Sequence, residues 1–135
     1  MFIVNNYIRH CYFKFMESSV KIFSYTRCGT CKKAIDWLND NKINYQLIDI
    51  IKHPPSKQFF LDAIKQLGDR KYLLNTSGKS YRNIGPSVIK NMNDNDVVKL
   101  LLSDSKLIKR PLLLHPNGDI LVGFKKIAWE DFFLN

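Results

Sequence analysis

Apolar positions along this chain fall into short blocks with two different periods. Val20 to Tyr25 (VKIFSY) alternates and is rich in β formers, and Thr26-Arg27-Cys28-Gly29-Thr30 bounds it as a turn, so the spacing predicts a strand. From Cys31 to Asn41 the apolar residues Ala34, Ile35, Trp37 and Leu38 recur at helical spacing. Tyr45 to Ile51 (YQLIDII) reads as a second strand, stopped by His53-Pro54-Pro55. A helix of about a dozen residues between two strands makes a βαβ unit, whose strands are parallel and whose crossover is right-handed.

The next segment changes character. Ser56 is an N-cap for a helix with Phe59, Phe60, Ala63, Ile64 and Leu67 on one face, closed by Gly68 at C′. That stripe is a core face. From Asp69 to Lys109 the pattern predicts a helical insertion: a short helix at Lys71 to Leu74, a polar loop at Asn75 to Lys79, and a helix from Pro86 to Met92. A further helix is expected from Asp94 to Leu102, with Asp94 as its cap and Val97, Val98 and Leu101 inward. Pro111 to His115 and Ile120 to Phe124 then flank the hairpin signal Pro116-Asn117-Gly118-Asp119, and Ile127 to Leu134 closes the chain as a helix. The order is β-α-β, helices, β-β-α, an α/β protein.

Length and composition narrow the class. At 135 residues the chain is one domain, and with 45% hydrophobic and 24% charged residues it can bury a core and is neither disordered nor a membrane protein. No apolar run approaches the ~18 residues of a membrane span. Met1 to Phe15 lacks the features of a secretory signal. Met16 follows it, so the expected organisation is a domain over residues 16–135 preceded by an extension, residues 1–15, that is disordered or arises from an upstream start. The other reading is an amphipathic tail that covers a groove. A net charge of +9, from 21 Lys and Arg against 12 Asp and Glu, admits anionic partners. The lysines are spread with no run longer than a pair, which favours a solvated basic surface over a nucleic-acid footprint.

Three cysteines, Cys11, Cys28 and Cys31, are too few for a secreted disulfide scaffold, so a reducing cytosol is the expected compartment. Cys28 and Cys31 form a Cys-x-x-Cys between a strand and a helix. The free N–H groups and partial positive charge of a helix N-terminus favour the thiolate of the first cysteine, and Arg27, Lys32 and Lys33 add charge beside it. Cys31, a turn further in, is positioned to attack a mixed disulfide on Cys28, which makes the pair nucleophile and resolver. Two other readings stand beside this one: half of a zinc site, for which Cys11, His10, His53 and His115 offer no paired spacing, and a pair of structural thiols. Pro111 opens the third strand facing the dithiol loop and is a candidate cis peptide, against a trans proline tolerated at a strand start. Arg110 before it is a candidate anion ligand, against a surface ion pair.

These residues resemble a known family. Thr26-Arg27-Cys28-Gly29-Thr30-Cys31-Lys32-Lys33-Ala34 is similar to the active-site loop of the arsenate reductase (ArsC) family, and Asn75 to Arg82 (NTSGKSYR), Lys109-Arg110-Pro111-Leu112 and Val122-Gly123-Phe124 resemble its Spx/MgsR-type branch. The resemblance covers about residues 20–134. It implies a thioredoxin-like fold, βαβ and ββα halves around a four-stranded mixed sheet with a helical insertion. It also implies Cys28, Cys31 and Arg110 as the reacting and anion-binding residues, with Arg27, Gly29, Thr30, Lys32, Pro111 and Arg82 in support.

Arsenate reductases of this family hold the oxyanion with arginines. Here the last strand carries Val122-Gly123-Phe124 and no arginine, and Ser77 stands at the place of the insertion arginine, with Arg82 or Arg70 as candidate substitutes. The Spx-type regulators use a Cys-x-x-Cys switch and bind the C-terminal domain of the RNA polymerase α subunit, contacting DNA little or not at all on their own. The resemblance therefore implies a redox-responsive regulator, with a thiol-dependent reductase, arsenate reductase-like or glutaredoxin-coupled, as the alternative. No cofactor is expected beyond glutathione or a thioredoxin or glutaredoxin as electron donor. The partner is then polymerase or a small oxyanion or thiol substrate, and the chain is expected to be a cytoplasmic monomer.

Overall fold

Strand alternation and two helical faces decide how this chain packs. The computed structural model describes residues 7–11 and 18–135; most of the 1–15 extension, and Met16 with it, lies outside them. Strand β1 (Val20–Ser24) lies at the centre of a sheet ordered β2-β1-β3-β4, where β2 is Tyr45–Asp49, β3 is Leu112–Leu114 and β4 is Ile120–Val122. It pairs parallel with β2, Ile22 opposite Leu47, and antiparallel with β3, Ile22 opposite Leu113. β3 and β4 pair antiparallel through the Pro116–Asp119 turn, where Gly118 takes a φ of +96° that suits glycine.

Because side chains alternate across a strand, β1 feeds two cores. Val20 and Ile22 join Ala34, Trp37 and Leu38 of helix α1 (Gly29–Asp40), with Leu113 and Trp129 of the C-terminal helix. Phe23 and Leu112 face the other way, into a larger cluster with Phe59, Phe60 and Ala63 of α2 (Lys57–Leu67) and with the insertion. Burial on both faces leaves only Lys21 of β1 partly exposed. The insertion consists of a 3-10 turn at Arg70–Leu73, α3 (Lys79–Ile84), α4 (Pro86–Asn91), α5 (Asp94–Ser103) and a 3-10 turn at Ser105–Leu107; α6 (Lys126–Leu134) ends the chain.

Three departures of the helices from the sequence reading have a local cause. α1 begins at Gly29, two residues early, because Cys28 is itself the cap. The cap of α5 is Asn93 and not Asp94, since the Asn93 side chain reaches the Asp96 N–H at 2.8 Å while Asp94 enters the first turn, where its charge suits the helix dipole. The expected polar loop ends in an extra helix, α3, six residues between Gly78 and Gly85 that bury no side chain completely. The Ser56 cap and the left-handed Gly68 at the end of α2 stand where the sequence put them. No helix among the described residues is long and apolar enough to cross a membrane.

Candidate redox site

β1 delivers its C-terminal end to a tight turn. The Cys28 N–H donates to the Tyr25 carbonyl at 3.0 Å, and Cys28, with extended backbone, then starts α1. Its Sγ accepts the Cys31 N–H at 3.3 Å, so the thiol occupies the position of an N-cap oxygen and receives one of the orphan donors of the helix. The first turn of α1 holds no acidic residue, and Arg27, Lys32 and Lys33 are exposed around it. The two ion pairs found among the described residues, Arg70 with Asp94 and Lys126 with Glu130, involve none of these three cations.

The two thiols are free and differ sharply in access: Cys28 is half-buried, while Cys31 is 1% exposed beneath it. Burial, helped by the hydrogen bond to Cys28, pushes the Cys31 thiol up from 9.0 to about 11, against weaker opposing contacts with the Tyr25 backbone and Ser24. Unfolded, Cys31 loses its proton near 9.0; folded, it holds the proton to about 11. The reduced protein should therefore keep this contribution in full below pH 9 and lose about 1.4 kcal/mol of stability per pH unit between the two values. Urea midpoints of reduced wild type and Cys31→Ala from pH 8 to 11 check it: the wild type should fall relative to the variant, and parallel profiles would contradict the account.

Cys28 and Thr30 open onto a cavity of about 260 Å³ that Lys109, Arg110, Gly123 and Lys125 also line. The Arg110–Pro111 peptide at its wall is cis, and β3 starts immediately after it. Arg110 lies over the Tyr25 ring, its guanidinium carbon 4.9 Å from the centroid. Gly123, at a φ of +72°, donates to the Pro111 carbonyl, and a Cβ there would stand 3.2 Å from Lys109 Cε, so the bare glycine lets that lysine lie across it. Gly29 differs: among the described residues nothing stands near the position of its Cβ, and no contact there calls for glycine.

The insertion reaches the same wall. Asn75 N–H donates to Leu107 O and Lys109 N–H to Leu73 O, both at 2.8 Å, which brings Asn75 beside Arg110 at the cavity rim. The two candidate substitutes for the insertion arginine lie elsewhere. Arg82 donates to Ser77 O at 2.7 Å and braces its own loop, and Arg70 donates to the Ile89 and Lys90 carbonyls and pairs with Asp94. Among the sequence-derived residues, Cys28, Thr30 and Arg110 thus share one cavity with Cys31 buried behind Cys28, while Arg82 lies outside it. Lys109, Lys125 and Asn75 join the lining without having been singled out for it; Lys109 and Asn75 sit in quoted motifs, but only the fold brings them to Cys28.

A family model described as the ArsC family matches residues 23–132. The chain belongs to the ArsC family. Among ArsC relatives it is similar to the uncharacterized protein YusI of Bacillus subtilis, 36% identical, with 84% of this chain and 97% of YusI covered. It is also similar to the regulatory protein MgsR of Bacillus subtilis, 26% identical over 81% of this chain and 86% of MgsR. Among solved structures, that of a possible arsenate reductase from Streptococcus mutans has 33% identity and a TM-score of 0.77, covering 85% of this chain and 98% of its own. The four-stranded mixed sheet with its helical insertion is the thioredoxin-like ArsC fold.

Proposed function

We propose that this chain is a redox-responsive regulator of the Spx/MgsR type, in which Cys28 and Cys31 pass between dithiol and disulfide and a protein partner reads the change. The observation that carries the reading is the stacking of the two sulfurs at the start of α1: an accessible Cys28 whose Sγ receives the Cys31 N–H, with the Cys31 thiol buried directly below. Oxidation by a small disulfide RSSR balances as two exchanges. The Cys28 thiolate takes one RS group and releases RS⁻, then Cys31 loses its proton, attacks the Cys28 sulfur and releases the second RS⁻. The new bond ties the first turn of α1 to its cap and alters the surface around Arg27, Lys32 and Lys33. The partner by resemblance is RNA polymerase, through the C-terminal domain of its α subunit, in the cytoplasm.

The arginines support a regulator over an arsenate reductase. Arg82 and Arg70 are both committed to backbone carbonyls, so Arg110 is the lone arginine on the lining of the Cys28 cavity among the described residues. One observation favours the second reading, a thiol-dependent reductase: the cavity at Cys28 is small and flanked by Lys109, Arg110 and Lys125, suited to a small anionic substrate. Capture of RNA polymerase by the tagged protein, compared with turnover of arsenate in the presence of glutathione and glutaredoxin, separates the two. The regulator reading expects polymerase capture that differs between oxidised and reduced protein, and negligible turnover. Sustained turnover without capture would overturn it in favour of the reductase.

A further inference from the structure

A second cavity, about 520 Å³, shares Asn75 and Arg110 with the Cys28 cavity and continues to Lys79, Ser80, Asn83 and Lys106. Arg110 stands on the boundary of the two, stacked on Tyr25, which itself lines the second. Among the described residues no acidic side chain lines either cavity, and Lys79, Lys106, Lys109, Arg110 and Lys125 together surround them. The loop that leads into Lys79 is braced, with Gly78 N–H on Asn75 O at 3.3 Å and Arg82 on Ser77 O. Five cations, with no carboxylate among the described lining residues, make a field that concentrates anions at the Cys28 sulfur.

We propose that the second cavity is an anion subsite for the sulfur substrate of Cys28: a disulfide whose carboxylate-bearing flank lies against Lys79 and Lys106 while its sulfur meets Cys28 in the first cavity. The proposal rests on the reading of Cys28 as the nucleophile and names the class of molecule that reaches it. In the exchange the Cys28 thiolate forms an S–S bond to one sulfur of the substrate, the substrate disulfide breaks, and the departing thiolate takes a proton from water. Arg110, at the junction, faces the anion whichever cavity its carboxylate occupies, whereas Lys79 and Lys106 line only the second and so report on it alone.

The test uses Cys11→Ser/Cys31→Ser protein, in which the mixed disulfide on Cys28 stays and is counted by intact mass. The probes are glutathione disulfide and its fully esterified ethyl ester, which keeps the same disulfide and peptide backbone but removes every carboxylate charge. Lys79→Gln/Lys106→Gln should slow adduct formation with glutathione disulfide roughly fivefold at low salt without slowing the cationic ester, and the preference for the anionic probe should shrink as salt rises. An equal rate loss with both probes, or no loss with either, would overturn the subsite while Cys28 keeps its role. Failure of Cys28 to form an adduct with either probe, where the urea-unfolded chain forms one, would instead overturn the nucleophile reading beneath it.

Discussion

Iodoacetamide at pH 7 should label Cys28 about a hundredfold or more faster than Cys31 in the reduced, folded protein. Only the thiolate reacts, and with the Cys31 thiol raised to about 11 by burial, about one molecule in ten thousand carries that thiolate at pH 7. Access works in the same direction, since Cys31 is 1% exposed and Cys28 opens onto the cavity. Cys11, exposed and outside the domain core, is an internal standard in the same sample. Peptide mapping after timed quenching reads all three sites. In urea the Cys28 and Cys31 rates should converge. Matching rates in the folded protein would mean that the first turn of α1 opens readily, and would remove the division of labour between nucleophile and resolver.

Trp129→Ala should cost about 3–5 kcal/mol, a large share of the 5–15 kcal/mol that a domain of this kind possesses. Trp129 is 1% exposed and meets Trp37 and Phe124 edge to face, with centroids 5.7 and 4.9 Å apart. Its indole N–H also donates to the Gly123 carbonyl at 3.1 Å, so this side chain links the core behind α1 to the glycine that lines the Cys28 cavity. Trp129→Phe keeps most of the packing but orphans that carbonyl, and should cost about 1–3 kcal/mol. Urea midpoints measure both. A loss below ~1 kcal/mol for the alanine variant would mean that α6 contributes little to the fold, contrary to its place in the core.

The sequence exposed this fold wherever one face of an element is buried. β1 and α2 announce themselves because Val20, Ile22, Phe59 and Phe60 must leave water, and hydrophobic burial writes a period that can be read. α3 escaped because only Tyr81 and Ile84 of its six residues turn inward, and even these are half-buried, so no stripe forms. The α5 cap was ambiguous since Asn93 and Asp94 are both cap formers, and only the Asp96 N–H decides between them. The start of α1 was set late because sulfur is a weak acceptor that propensity rules do not count as a cap.

At the site, the spacing of Cys28 and Cys31 and the proline after Arg110 were legible, being local. Lys109, Lys125 and Asn75 were not, for they arrive through long-range pairing: Lys109 N–H on Leu73 O, and the β3–β4 hairpin that carries the chain to Gly123 and on to Lys125. Arg82 illustrates the converse. Its position in a family-like motif suggested the site, but its guanidinium finds Ser77 O five residues back and stays with its loop.

Titration against a dithiothreitol redox buffer, with free thiols counted at each potential, tests the central claim most directly. The account predicts one two-electron transition in Cys11→Ser protein, from two thiols to none without dimer formation. Cys28→Ser and Cys31→Ser in that background should each retain one thiol at potentials where the parent has none. Retention of both thiols by the parent under fully oxidising conditions would contradict it, as would an oxidised product that is entirely intermolecular.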